Sequence, residues 1–242
     1  MTLHPRALVA AALAVGLATL GTAPATAEPQ VDALTPGARI VTYAPGPGGA
    51  WQSECTAGWL ARTADGKPVV LTAGHCARSG DAVVLWQGHD DSPADYLALG
   101  PATYVVHDPN STDIAVVSVS ESVAQDPRVL ERRPVAAAVK LVIPGEPICF
   151  YGATSGRSCG VVTNIIPGYG IVATAKAQGG DSGGPAYSID NTGVAYPVGI
   201  VVGGQDSTGR SVVQPITDVL REQNLTLMSG AEPSTEAVAQ HR

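Results

Sequence analysis

Aromatic and charged residues are scarce in this sequence. Phe occurs once among 242 residues, aromatic residues amount to 5% and charged residues to 14%. Lys and Arg number 14 against 21 Asp and Glu, so the net charge is −7, and the basic residues do not cluster. Proteins that bind nucleic acid need Lys and Arg to neutralise phosphates, so the composition argues against a nucleic-acid partner.

The sequence also lacks an apolar run long enough to span a membrane comfortably. Its N-terminal run, residues 7–20, has fourteen residues, whereas a bilayer core of about 30 Å requires about 20. Arg6 precedes the run and an A-T-A tripeptide follows at 25–27, which is the order of a secretory signal peptide and its cleavage site. The alternative is a membrane anchor, which the short run disfavours. We predict a signal peptide over 1–27 and a secreted mature protein with no membrane partner.

Cysteine is scarce as well, and no C-x-x-C spacing occurs. The four cysteines are Cys55, Cys76, Cys149 and Cys159. An even number in an exported protein predicts disulfides, although the sequence does not choose among the three possible pairings. Without C-x-x-C spacing a zinc site is not expected. We predict no metal and no cofactor.

Glycine and proline are abundant, with 28 and 19 residues, and they separate short β-branched runs. Such runs, without helical segments between them, predict an all-β barrel or sandwich. One helix is predicted over 215–224, with a proline in its first turn. Residues 28–50, rich in Pro and Gly, are interpreted as an N-terminal lead-in or short pro-segment, and 229–242 as a flexible tail. The predicted strands include 69–72, 82–86, 103–106, 114–119, 160–163, 171–174 and 198–202.

Ser182 lies in a glycine-rich segment that suits a nucleophile. A serine hydroxyl attacks only with a base nearby and with a stabilised oxyanion. Glycines allow the backbone to turn sharply and leave N–H groups available for a developing negative charge. A glycine-rich turn with an incidental serine is the alternative. The segment is Gly179-Gly180-Asp181-Ser182-Gly183-Gly184-Pro185.

His75 and Asp113 are the candidates for the base and the acid. His75 ends the apolar run 69–74, beside Cys76, which offers a covalent anchor. The other histidines lie at the termini or, as His89 and His107, in polar, turn-like surroundings without special neighbours. Asp113 directly precedes a predicted strand, where its carboxylate is expected to be partly buried, as an acid that orients an imidazole must be. A turn or capping role is the alternative for Asp113.

Three segments together resemble the chymotrypsin-like serine proteases. They are residues 71–76 (LTAGHC), 113–116 (DIAV) and 180–185 (GDSGGP), and they occur in the order His, Asp, Ser that this family has. Finer features are similar to the bacterial branch, which includes the streptogrisins and alpha-lytic protease. These are residues 55–59 (CTAGW), the short loop 149–159, and residues 213–217 (VQPIT).

The resemblance implies a fold of two six-stranded antiparallel Greek-key barrels and a C-terminal helix. The peptidase domain would cover 51–228, with one barrel over about 51–125 and the other over about 135–214. It also implies the disulfides Cys55–Cys76 and Cys149–Cys159.

The resemblance further implies a secreted monomeric endopeptidase that acts on protein or peptide substrates through an acyl-enzyme. Ser182 would attack the scissile carbonyl, His75 would transfer the proton, and Asp113 would orient His75. The N–H groups of Gly180 and Ser182 would form the oxyanion hole.

The sequence departs from the family at two supporting positions. Val202 stands where relatives usually have a Ser that donates to the acid of the triad. Phe150 stands where the bacterial branch often has an Arg that pairs with the acid before the nucleophile, here Asp181. Arg157, another donor, or a free amine made by cleavage after Arg39 would have to replace it.

The resemblance places the floor of the specificity pocket in Lys176, Ala177 and Gln178. Val202, Gly203 and Gly204 would form one wall. No acid lies at the floor, which argues against a preference for Arg or Lys. Lys176 would either attract an acidic side chain or point to solvent. We expect small or medium apolar side chains at the cleaved bond.

Two other functions compete with the protease. An α/β-hydrolase has the order Ser, acid, His, and here the only histidine after Ser182 is His241, in the tail. An inactive binding protein on a protease fold is the stronger alternative, because fold does not determine function. Val202 and Phe150 motivate it.

Overall fold

The computed structural model describes residues 33–46, 49–88, 95–108, 110–130, 132–205 and 209–230. The predicted signal peptide, most of the predicted tail, and His89 lie outside these residues. Within them, no helix is both long and apolar enough to cross a bilayer.

The first half of the fold is an eight-stranded antiparallel sheet. Its strands lie in the order β14-β3-β4-β7-β6-β5-β1-β2. The central strands β4 and β7 are almost fully buried, as their β-branched sequences predict. The strands are β1 (Arg39–Gly46), β2 (Gly49–Thr56), β3 (Leu60–Arg62), β4 (Pro68–Thr72), β5 (Ala82–Trp86), β6 (Tyr96–His107), β7 (Asp113–Ser118) and β14 (Thr226–Leu227).

The second half is a closed six-stranded antiparallel barrel. Its strands lie in the order β10-β13-β12-β11-β8-β9, and the ends of this order pair with each other. Closure leaves no unpaired edge. The strands are β8 (Pro147–Gly152), β9 (Gly156–Ile166), β10 (Gly170–Ala173), β11 (Pro185–Ile189), β12 (Ala195–Gln205) and β13 (Arg210–Pro215).

One apolar cluster joins the two halves. Trp59 and Leu71 from the first half pack in it with Tyr187 and Ile200 from the second. The Trp59 indole N–H donates to the carbonyl of Gly199 at 2.7 Å, which also links the halves. Helix α1 (Thr217–Glu222) adds Val219 to the same cluster. The two halves are therefore held in a fixed relation.

The predicted fold class is confirmed: the molecule is all-β with a C-terminal helix. The second barrel is closed, as expected. The strands of the first half form an open eight-stranded sheet in place of the expected closed six-stranded barrel. Strand β1 lies inside residues 28–50, which the sequence analysis set apart as a lead-in segment. Ile40 and Val41 of this strand are buried, and β1 pairs with both β2 and β5.

Both disulfides that the resemblance implied are present. Cys55 of β2 is bonded to Cys76 in the short 3-10 turn Gly74–Cys76. Cys149 of β8 is bonded to Cys159 of β9, directly opposite it in the ladder. The first bond anchors the turn that contains His75.

Candidate active site

The structure pairs the side chains of His75 and Asp113. Strand β4 ends at Thr72, and His75 lies in the 3-10 turn that follows. Asp113 is the first residue of β7 and is largely buried. Its Oδ1 accepts the backbone N–H of His75 at 2.7 Å, and its Oδ2 lies 2.6 Å from His75 Nδ1. The carboxylate therefore holds both the main chain and the ring of His75.

The environment of Asp113 determines its charge. Burial acts to raise the pKa of Asp113, but the side-chain hydrogen bond and the charge of His75 outweigh it, so the pKa lies below the ordinary 3.8. Asp113 is therefore ionised at neutral pH and only accepts hydrogen bonds. Consequently His75 donates through Nδ1–H, and its Nε2 is left without a proton when the ring is neutral.

A second imidazole, that of His107, also contacts Asp113. His107 Nδ1 lies 3.1 Å from Asp113 Oδ1, and the ring centroids of His75 and His107 are 5.8 Å apart. The expectation that His107 has no special neighbours is wrong. His107 ends β6 and faces Asp113 across the β6–β7 hairpin. A hairpin register assigned to residues 107–113 would have indicated this contact.

The Ser182 segment lies beside the turn that contains His75. The Ser182 carbonyl accepts the N–H of Thr56 at 2.7 Å and lies 3.9 Å from the sulfur of Cys76, the neighbour of His75. Gly183 has φ +88°, and a Cβ there would overlap the Thr72 hydroxyl, so this turn requires glycine. Within the described residues, the Ser182 hydroxyl and the His75 ring are not hydrogen-bonded to each other. Catalytic contacts of this kind often tighten only when substrate binds.

The backbone amides of Gly180 and Ser182 are available for a ligand. In the described part of the chain, neither amide donates to a protein acceptor, whereas the amides of Gly183 and Gly184 do. The hydroxyl of Thr154 donates to the carbonyl of Gly179 at 2.8 Å. Because N–H and C=O point in opposite directions in a trans peptide, the N–H of Gly180 points away from Thr154. Two free amides in one turn can bind an oxyanion.

Asp181 is fully buried and is held by four neutral donors. The turn between β8 and β9 supplies the amides of Thr154 and Ser155 to Oδ1, at 3.1 and 2.9 Å, and the Ser155 hydroxyl to Oδ2 at 2.6 Å. The amide of Gln178 donates to Oδ2 at 2.8 Å. The sequence left three replacements open for the missing Arg, namely Arg157, another donor or a free amine. The structure supplies other donors.

The free amine predicted as a further replacement does not lie at Asp181. Ile40 is inside β1, where it is paired with Cys55 and Leu85, so a cleavage after Arg39 would have to release Ile40 from this sheet before its amine could reach Asp181. In the uncleaved chain, the donors already described hold Asp181 without a free amine. Phe150, which stands in the usual place of the Arg, is buried in the core of the second barrel.

The predicted pocket residues separate into distinct environments. Ala177 contacts Gly204, where an added Cβ would lie 2.6 Å from the Ala177 carbonyl. Lys176 is exposed, and its chain packs near Gly209. Gln178 donates its side-chain amide to Ser155 at 3.0 Å, so it belongs to the Asp181 network.

A cleft of about 230 Å³ adjoins the His75–Asp113 pair. Val202 and Gly203, the first two residues of the predicted wall, line it. Val202 also packs against the apolar clusters of the first half and of the junction between halves, and it offers Asp113 no side-chain donor. The other lining residues are His75, His107, Asp108, Ser111, Asp113, Tyr169, Val212 and Gln214.

Sequence reasoning missed three hydroxyl residues that organise the site, namely Thr56, Thr154 and Ser155. The Thr56 hydroxyl donates to the Gly180 carbonyl at 2.7 Å and accepts the amide of Ala153 at 2.9 Å. The signal available in the sequence was chemical: an acid without its Arg needs other donors, and 154–155 is a T-S pair in a short turn.

The site also contains a group of potential metal ligands. One ligand atom each from His75, His107 and Asp113 lies within 4.8 Å of the others. Hydrogen bonds among these groups account for the arrangement. The prediction that the protein needs no metal stays a prediction.

Comparison with known proteins gives a consistent result. A family model described as Trypsin matches residues 62–221. An uncharacterized protein of Mycobacterium tuberculosis is 30% identical over 207 residues, covering 82% of this chain and 85% of its own.

Among solved structures, Thermobifida fusca protease A is 25% identical with a TM-score of 0.61, covering 81% of this chain and 98% of its own. Nocardiopsis protease is 23% identical with a TM-score of 0.58, covering 77% and 96%, and its likeness concerns the fold.

Proposed function

The chain belongs to the trypsin family of chymotrypsin-like serine proteases, and on this premise we propose that it is a secreted serine endopeptidase with His75, Asp113 and Ser182 as its triad. The observation that supports this most is the ionised Asp113 bound to His75 Nδ1, next to a Ser182 turn with two free amides. A base, an orienting acid, a nucleophile and an oxyanion site are the parts that acyl transfer requires.

The proposed mechanism follows from these positions. Asp113 holds the Nδ1–H of His75, so Nε2 accepts the proton of the Ser182 hydroxyl as its oxygen attacks the peptide carbonyl. The resulting oxyanion accepts hydrogen bonds from the N–H groups of Gly180 and Ser182. His75 then gives its proton to the leaving amine, and water hydrolyses the acyl-enzyme with His75 again acting as base.

Secretion is supported by chemistry inside the fold. All four cysteines form disulfides, and such bonds persist in oxidising compartments. Together with the signal peptide proposed for 1–27, this supports an extracellular location. The monomeric state and the protein or peptide substrates are further parts of the proposal. Small or medium apolar side chains remain our proposal for the specificity pocket, with Ala177 and Gly204 in contact there.

An inactive protease-like binding protein is the second candidate. Two observations favour it. Among the described residues, Ser182 is not hydrogen-bonded to His75, and Val202 offers Asp113 no side-chain donor where relatives have Ser. Because both candidates share the fold, only a test of the reactivity of Ser182 separates them.

Active-site titration tests the proposal directly. Purified mature protein is treated with a phosphonyl fluoride, and labelling is located by mass spectrometry. We expect one label per chain at Ser182, none in Ser182→Ala, and hydrolysis of a peptide library by the wild type alone. A folded mature wild type that neither labels nor cleaves would support the binding protein instead.

A further inference from the structure

The carboxylate of Asp113 is bound by two imidazoles rather than one. His75 Nδ1 faces Oδ2, and His107 Nδ1 faces Oδ1 at 3.1 Å. We propose that His107 is a positioning residue of this active site, which donates Nδ1–H to Asp113 and holds the carboxylate in the orientation that His75 needs. This inference rests on the proposed function and adds a residue to its machinery.

The donors around Asp113 explain why His107 matters. In the described residues, the side-chain oxygens of Asp113 accept hydrogen bonds from the main chain and ring of His75 and from the ring of His107. Val202, which lines the same cleft, has no donor to add. Without His107, the Asp113 carboxylate would be held only by His75, the residue that the carboxylate has to orient. A buried carboxylate with few donors also loses hydrogen-bond energy.

The β6–β7 hairpin places His107 precisely enough for this role because its turn is well tied. Asp108 and Thr112 close the turn with an N–H···O bond of 2.7 Å. The carboxylate of Asp108 accepts the amide of Asn110 at 2.9 Å and the hydroxyl of Ser111 at 2.8 Å. His107 therefore lies opposite Asp113 on a constrained backbone while its ring is half-exposed to the cleft.

Several titratable groups surround the His107 ring. Asp113 and His75 contact it, and Asp108 adjoins it on the same hairpin. From the second barrel, Tyr169 and Gln214 line the same cleft. Because His75 and His107 contact the two oxygens of one carboxylate, a change in the orientation of that carboxylate alters the hydrogen bond at His75 Nδ1. The Nδ1–H proton of His75 should therefore respond to the loss of the His107 donor, which the loss of a purely structural residue would not cause.

Two substitutions separate donation from packing. His107→Asn keeps an N–H donor close to the position of Nδ1 but does not titrate, whereas His107→Leu fills similar space without a donor. We expect His107→Leu to lower kcat/KM about tenfold, mainly through kcat, and His107→Asn to stay within about threefold of the wild type. Thermal unfolding of each variant shows whether the fold is intact.

A second measurement does not depend on activity. In the Ser182→Ala background, NMR follows the Nδ1–H proton of His75. We expect the proton signal to be sharp when His107 is retained and in His107→Asn, and to be broadened by exchange in His107→Leu.

The outcomes distinguish this inference from the proposed function. Equal kcat/KM in all three proteins, with an unchanged His75 Nδ1–H signal, overturns the positioning role while the protease stands. Loss of kcat/KM in both variants to the same extent, with folding intact, also overturns it, because donation would then be irrelevant. An inert wild type contradicts the protease, and the NMR measurements still decide whether His107 orients Asp113.

Discussion

Replacing Thr154 with Val exchanges one hydroxyl for a methyl group that cannot donate a hydrogen bond. The hydroxyl donates to the carbonyl of Gly179 at 2.8 Å, and it is the side-chain contact that fixes the peptide between Gly179 and Gly180. The separate bond from the amide of Thr154 to Asp181 comes from the backbone and remains. Gly180 has φ +92°, a conformation that glycine adopts at little steric cost, so no side chain of its own fixes this peptide. The variant therefore loosens the peptide that contains the N–H of Gly180 and keeps the backbone hydrogen bond from Thr154 to Asp181.

The expected fall in kcat follows from the effect of losing one neutral hydrogen bond and from the effect of losing an oxyanion donor. A neutral hydrogen bond contributes about 1 kcal/mol, so its loss shifts the balance between the correct and the flipped peptide about fivefold. Complete loss of an oxyanion donor costs about 100- to 1,000-fold in kcat. Because the N–H is loosened and not deleted, we expect kcat to fall about two- to fivefold with KM nearly unchanged.

Kinetics and a transition-state analogue check this prediction together. The inhibition constant of a peptide boronic acid, whose tetrahedral adduct occupies the oxyanion site, should rise in proportion to the loss of kcat/KM. Thr154→Ser retains a hydroxyl and serves as the matched control, with values near those of the wild type. A Val variant with unaltered kcat and analogue affinity, or a Ser variant that is impaired equally, would refute the role assigned to Thr154.

Three further predictions follow from the same contacts. Ser155→Ala removes the 2.6 Å bond to the fully buried Asp181, which should destabilise the protein by about 1.5–3 kcal/mol in thermal unfolding; an unchanged midpoint would contradict this. Gly183→Ala forces a Cβ onto the Thr72 hydroxyl at φ +88°, so we expect little folded protein by circular dichroism, with the exposed Gly66→Ala as control. Because the pKa of Asp113 lies below 3.8, its contribution to stability is present above about pH 4 and is lost as pH falls through the lower folded value. In denaturant titrations, the difference in unfolding free energy between the wild type and Asp113→Asn should therefore become smaller at low pH. At neutral pH the same variant should have a kcat about 10⁴-fold lower than that of the wild type. A free-energy difference that does not change with pH would argue against an ionised Asp113.

The strands near the site could be predicted because their signals are local. Strands β4 and β7 coincide closely with the β-branched runs at 69–72 and 114–119. Such residues are stable in extended, buried backbone. The sequence placed His75 and Asp113 at strand ends for the same reason. Strand β1 was missed because the Pro and Gly around it suggested irregular structure, while pairing on both sides stabilises it.

The hydrogen-bond donors to Asp181 could not be predicted from the local sequence. Ser155 lies 26 residues from Asp181 in sequence, and the contact exists because the β8–β9 turn folds over the nucleophile loop. Hydrogen bonds form only within a few tenths of an ångström and a limited range of angles. Neither composition nor periodicity determines backbone position to that accuracy, so the sequence indicated a need for donors without identifying them.

The amino-acid sequence by itself determined the chemistry of the site and its order along the chain: a histidine after one strand, an aspartate before another, and a serine among glycines whose positive φ angles the turn requires. Only the tertiary structure decided which groups support them. His107 meets Asp113 through a hairpin register, and Thr154 and Ser155 meet the nucleophile loop through the closure of a barrel. Strand and turn preferences depend on neighbouring residues, whereas these contacts depend on where distant backbone segments come to lie.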